Sequence, residues 1–173
     1  MSGGVSNRYV AEVMHATSDV FRGVYPSDYL PRRPLDSPNS LVINLAPHSI
    51  KRGHFVCLYQ TRQQIFYFDP LGFPPWVPAV QHFIERSGKH LHYNTKAVQP
   101  IQSSYCGFYC MAFLLWFEKR NKNMNDFISV FHSHVNNDTM VIKMLNTLIW
   151  VNLSCMVRIP ISLLPVACWP FQP

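Results

Sequence analysis

Between Gly107 and Phe117 the chain runs eleven residues, Gly-Phe-Tyr-Cys-Met-Ala-Phe-Leu-Leu-Trp-Phe, without a charge or a proline. Such a run is too long for an ordinary strand. It ends in Glu118-Lys119-Arg120-Asn121-Lys122-Asn123, where cations meet the negative end of a helix dipole. The pattern predicts a helix buried on most of its circumference, so the fold must supply packing partners all around it. Cys106 stands at the N-terminus of this helix, behind the polar loop Gln99-Pro100-Ile101-Gln102-Ser103-Ser104-Tyr105. Unpaired N–H groups and the positive end of the dipole stabilise a thiolate at such a place, and the thiolate is the reactive form of cysteine. A buried cysteine also serves as a small hydrophobe, so the chemical reading depends on partners.

A cysteine nucleophile needs a base, and the base needs an orienting group. His54 lies in Lys51-Arg52-Gly53-His54-Phe55-Val56-Cys57-Leu58-Tyr59, where a basic turn leads into an apolar strand. Asp69 ends the next strand, Gln64-Ile65-Phe66-Tyr67-Phe68, and is followed by the turn-forming Pro70-Leu71-Gly72-Phe73-Pro74-Pro75. The link Gln60-Thr61-Arg62-Gln63 suits a hairpin, and antiparallel pairing would bring His54 and Asp69 to one edge of the sheet. Each has a simpler use: a surface or capping histidine, and an aspartate closing an Asx turn. Taken together with Cys106, they form a candidate catalytic set.

Four ordered segments resemble motifs of one family. Phe21-Arg22-Gly23-Val24-Tyr25-Pro26 with Asp28, Gly53-His54-Phe55, Phe68-Asp69-Pro70-Leu71-Gly72-Phe73, and Gln99 through Cys110 are similar to the Phe-x-Gly-x-Tyr, Gly-x-His-Trp, Phe-Glu-Pro-Phe-Gly-Phe and Gln-Gly-Pro-Asn-Ser-x-x-Cys-Gly-x-Phe-Cys segments of the adenovirus protease (adenain) family of cysteine endopeptidases. The resemblance covers residues 21 to 110 and extends faintly to about Leu145. It implies an α+β, papain-like or adenain-like fold with a central mixed sheet and the nucleophile at the N-terminus of a buried helix. It further implies Cys106 as nucleophile, His54 as general base, Asp69 as orienting carboxylate and Gln99 as oxyanion-hole donor, with Gln102, which aligns with the family's asparagine, the weaker alternative. Aspartate replaces the adenoviral glutamate, and either carboxylate can hold an imidazole.

The implied activity is hydrolysis of peptide bonds at Gly-containing sites of viral or virus-like capsid precursors, as in DNA viruses and Maverick-type elements. The chemistry requires no cofactor. Family members are activated by DNA and by a peptide joined through a disulfide, but residues 70–105 contain no cysteine, so a disulfide tether is not implied. Alternative readings are a protease for ubiquitin or a ubiquitin-like modifier and, from another class, an inactive DNA- or capsid-binding remnant.

The expected organisation is one protease domain over residues 1–146 and a hydrophobic tail over 147–173 that does not align with the family. The uncharged run from Met144 to Val157, broken afterwards by Arg158, Pro160 and Pro165, falls short of the ~18 residues a membrane span wants. The tail is therefore expected to be strand or irregular chain on the core, or sequence foreign to the family. The polar N-terminus lacks an apolar signal region. Five cysteines in apolar contexts suggest reduced thiols of an intracellular protein, of the host nucleus or a virion if viral. Cys57, Cys110, Cys155 and Cys168 read as packing residues, with no zinc spacing and no metal expected.

Fifteen Lys and Arg against nine Asp and Glu give a net charge of +6, concentrated in Arg32-Arg33, Lys51-Arg52 and Lys119-Arg120. This fits either non-specific DNA binding or a solvated basic face; Lys51-Arg52 could also steer acidic substrates. The expected state is a monomer acting on protein substrates. Helices are predicted at Val10–Val20, Trp76–Arg86, Met124–His134 and Asp138–Leu148, and strands at Ser40–Leu45, His54–Tyr59, Gln64–Phe68 and Tyr93–Val98. Trp76 and Tyr105 are assigned to the cleft wall or the core.

Overall fold

The computed structural model describes residues 4–33, 35–50, 52–119, 123–132 and 136–157, with side chains as far as 151. Helix α1 (Asn7–Thr17) starts at Ser6, whose Oγ accepts the Tyr9 N–H at 3.1 Å, as an N-cap residue does. One mixed sheet follows, in the order β1 (Phe21–Pro26), β2 (Asn39–Asn44), β3 (Phe55–Gln60), β4 (Gln64–Phe68), β5 (His90–Tyr93). The neighbours β2–β3 and β3–β4 are antiparallel, while β1 runs parallel to β2 and β5 parallel to β4. The fold is α+β, as expected.

The central strands read as unbroken apolar runs because both faces of the sheet are covered. Val42, Phe55, Cys57, Tyr59, Phe66 and Phe68 face a core shared with α3 (Cys106–Lys119), α4 (Met124–Ser129), α5 (Asn137–Val157) and α1. Leu41, Ile43, Val56, Leu58, Ile65 and Tyr67 point the other way, to Val80, Phe83 and Ile84 of α2 (Pro78–Arg86). The period of two along each strand divides the cores.

Helix α3 sits where its sequence requires, with ten of its fourteen residues buried. Phe113 is fully buried and stacks on Phe68 of β4 with ring centroids 4.4 Å apart; Phe127 of α4 meets it edge-on at 5.3 Å. At ~1.5–3 kcal/mol for each large apolar side chain removed from water, these contacts outweigh any single polar interaction of the site and fix where Cys106 lies.

Several segments depart from the sequence expectation: the helix expected at Val10–Val20 runs from Asn7 to Thr17, capped by Ser6 and ended at Ser18. Strand β1 carries no alternation in its sequence, because Gly23, at φ 134°, and a register shift between Phe21 and Val24 break it. Strand β5 ends at Tyr93 instead of beginning there: Asn94 turns its side-chain amide onto the backbone of Asp69, and 94–98 becomes loop. The helix expected over Met124–His134 stops at Ser129, Phe131 is buried outside it, and 133–135 lie outside the described residues.

At the C-terminal end α5 runs unbroken to Val157, past Leu148 and across the expected boundary at 146/147. Residues 147–157 are therefore helix, not strand or irregular chain, and 158–173 lie outside the described residues. Leu145 and Leu148 of this helix are buried, whereas Trp150 and Val151 are about half exposed, at 46% and 50%. Among the described residues no helix is long and apolar enough to cross a membrane.

Candidate active site

The β3–β4 hairpin sets His54, one residue before β3, beside Asp69, one residue after β4. His54 Nε2 lies 2.7 Å from Asp69 Oδ1. The residue before the histidine must be small, since a Cβ at Gly53 would collide with the Asn44 side chain and with Ala46 Cβ. Asp69 is fully buried and combines the two uses its sequence allowed: the same Oδ1 accepts the Leu71 N–H at 2.8 Å, closing an Asx turn, while it holds the imidazole. Gly72, at φ +77°, completes the turn by donating its N–H to Asp69 O at 2.8 Å; a side chain there would strike the backbone of Lys96 and Ala97.

Asn94 holds Asp69 as a neighbouring strand would. Its Oδ1 accepts the Asp69 N–H at 2.9 Å, and its Nδ2 donates to Asp69 O at 2.6 Å. Pro70 O then accepts from both Val98 N (2.9 Å) and Gln99 N (3.0 Å), tying the aspartate turn to the loop before Cys106.

Cys106 is the first residue of α3 and is 8% exposed. Its sulfur accepts the Phe55 N–H at 3.4 Å, so β3 presents a donor to it immediately after His54. Tyr105 O takes the Phe108 and Tyr109 N–H groups at 2.9 and 3.2 Å. The Cys106 and Gly107 N–H groups make no hydrogen bond among the described residues, which leaves two donors at the helix start.

Burial alone would lower the pKa of His54. The hydrogen bonds to Asp69 and Cys106 and the negative charge of both partners overcome it and raise the value to about 9. With Nε2 committed to Asp69, Nδ1 is the nitrogen left to exchange a proton with Cys106. Which nitrogen carries hydrogen follows from these partners.

Gln99 is buried in the same cleft and Gln102 is exposed outside it. The Gln99 amide donates from Nε2 to Ser103 O at 2.7 Å, which fixes its orientation and leaves a second N–H on the same nitrogen. Ser103 is in turn secured from α5. Its hydroxyl donates to Asp138 Oδ1 at 2.9 Å and accepts the Tyr105 N–H at 3.1 Å; Tyr109 OH donates to the same Asp138 oxygen at 3.0 Å, and Asn137 Nδ2 to Val98 O at 2.8 Å. Asn94, Ser103, Asn137 and Asp138 were not legible as site residues, because each acts on backbone or side chains far from it in sequence.

The cleft over Cys106 has a volume of about 820 Å³. His54, Phe55, Leu71 and Gln99 line it with Cys106, as do Gly4 to Arg8, His48, Ile50 and Arg52; among the described residues no carboxylate does. Val5 packs where a side chain at Gly107 would stand. Trp76 is 61% exposed and, like Tyr105, does not line this cleft. Cys57 and Cys110 are fully buried in the core beneath, and burial, followed by the bond to Cys57, pushes the Cys110 thiol well above its usual range. Cys168 and the side chain of Cys155 lie outside the described residues. Among the described residues no group of three or more His, Cys, Asp or Glu side chains could hold a metal ion.

The imidazole resonances of His54, followed by NMR titration, should give a midpoint near pH 9 in wild type and a lower one in Asp69→Asn, where the charged acceptor is lost. A wild-type midpoint near the unperturbed ~6.5 would show that Asp69 and Cys106 do not outweigh burial. Compared with models of known protein families and with curated proteins, the sequence finds no match; the chemical reading of this cleft therefore rests on its geometry and on the motifs that run through it.

Proposed function

We propose that this chain is a cysteine endopeptidase of papain-like, adenain-like architecture. The observation that carries this reading is the convergence of Cys106 at a helix start, His54 beside it, and a buried Asp69 2.7 Å from the imidazole. These are the nucleophile, base and orienting group of thiol catalysis.

In this reading the Cys106 thiolate attacks the scissile carbonyl while His54 holds the proton. The Gln99 side-chain N–H and the unpaired Cys106 N–H stabilise the oxyanion. The imidazolium then protonates the leaving amine, and water, deprotonated by the neutral imidazole, hydrolyses the thioester. A His54 pKa of about 9 keeps the proton available at neutral pH. Loss of one oxyanion donor typically costs about 10²–10³ in rate, comparable to the ~10²–10⁴ from general acid–base catalysis; both contributions need the Gln99–Cys106 loop held still. A cleft lined by both Gly4–Arg8 and His54 suits a peptide substrate, and Gly-containing sites in capsid-type precursors follow from the family resemblance.

An electrophilic peptidyl probe is expected to label wild type under reducing conditions and to fail with Cys106→Ala, with sharply slowed labelling in His54→Ala. Equal labelling of Cys106→Ala, or none of wild type with or without DNA, would end the protease reading. Asp138→Asn is expected to slow peptide cleavage by about 10- to 100-fold, as misplacement of catalytic groups does, with the folded state intact by circular dichroism. An unchanged rate would show that the Asp138 contacts to Ser103 and Tyr109 do not position the site.

A further inference from the structure

A second cleft, of about 150 Å³, lies between the end of β3, the end of α2 and the loop after β1; it shares no lining residue with the Cys106 cleft. Arg32, Arg33, Arg86 and Lys89 line it and, among the described residues, no carboxylate does, although Arg32 and Arg86 also line an adjoining cleft with Asp28 and Glu85. Among the described residues none of the three arginines has an ion-pair partner. Four cations around one small concavity repel one another, and that repulsion is relieved by an anion.

The polar floor points the same way. Lys89 Nζ donates to Ser37 Oγ at 2.9 Å and to Gln60 Oε1 at 3.1 Å. A lysine ammonium has no acceptor capacity, so it compels the Gln60 amide to present oxygen and turns Nε2 away. Gln60 is 3% exposed, lines this cleft, and its Nε2 has no partner. Asn39 Oδ1, across the β2–β3 register from Gln60, is also unpartnered, and the two atoms do not bond each other. Gln60 Nε2 is closed off from solvent, so the amide serves the cleft through Oε1, which with Ser37 Oγ holds the Lys89 ammonium in place, and an anionic oxygen in the cleft would meet the cations. Burial lowers the Lys89 pKa.

We propose that Gln60, Lys89, Arg86, Arg32 and Arg33 form a binding site for a phosphate group, either inorganic phosphate or a terminal phosphate monoester. Arginine forks take two phosphate oxygens in one plane and lysine serves as a point charge. The site is independent of the proposed peptidase chemistry.

Isothermal titration of the full chain with inorganic phosphate, at ionic strength held constant with chloride, tests it. Wild type should bind saturably. Arg86→Ala and Gln60→Glu should each weaken binding by roughly tenfold or more, while Arg22→Ala leaves it unchanged. Gln60→Glu keeps the shape of the side chain and pairs with Lys89, so its loss of binding is not a loss of fold, and thermal melts verify this for both variants. A 5′-phosphorylated oligonucleotide binding more tightly than its 5′-hydroxyl form, with the difference abolished in Gln60→Glu, identifies a monoester carried by nucleic acid. Binding of inorganic phosphate without that difference identifies the free ion. No saturable binding below about 10 mM phosphate, or undiminished binding in folded Arg86→Ala and Gln60→Glu, overturns the site.

Discussion

Packing of α3 against β3 and β4 is the constraint from which the candidate site follows. An apolar helix cannot present its side chains to water, so Phe113 and Phe117 are driven onto Phe66, Phe68 and Tyr59 of the sheet. That contact sets the height of the helix over the strands and brings Cys106 Sγ within 3.4 Å of the Phe55 N–H. The hydrophobic term is non-directional and large; the polar contacts that aim the side chains of the candidate site are individually worth ~0.5–1.5 kcal/mol. The core therefore delivers the cysteine and the hydrogen bonds refine its surroundings.

Refinement takes the form of backbone capture by side chains. Asn94 pairs both polar groups of the Asp69 backbone, Ser103 and Gln99 close the loop before Cys106, and Asp138 receives Ser103 and Tyr109 together. Asp138 sits in the first turn of α5, where the helix dipole favours a carboxylate. Burial and the bond to Asp138 raise the Tyr109 pKa above its ordinary range, so the phenol remains a donor. The same burial leaves Asp69 Oδ2 and Gln99 Oε1 without partners, polar atoms that a region selected for stability alone would satisfy.

The sequence carried those parts of the site that obey local rules. The buried helix, the hairpin and the Asx turn at Asp69 each have a signal within a few residues, and together they predict the His54–Asp69 edge and the place of Cys106. Strand β1 is not legible because Gly23 interrupts its period, and β5 ends before the β-prone residues after Asn94 because the tertiary use of that side chain overrides them. The α5 helix beyond Leu148 lies past the point where the family resemblance ends, which is where the expected domain boundary falls. Choosing Gln99 over the nearer Gln102 required the family resemblance, since no local rule says which amide a loop turns inward.

The central claim is that His54 and Asp69 act on Cys106 as one unit, which a double-mutant cycle on sulfur reactivity measures without knowledge of a substrate. Rates of Cys106 alkylation by iodoacetamide are compared in wild type, His54→Ala, Asp69→Asn and the double variant at neutral pH. If Asp69 works through the imidazole, the double variant reacts at the rate of His54→Ala, a non-additive outcome. Multiplying effects, with Asp69→Asn slowing the reaction as much in the absence of His54 as in its presence, would contradict the account.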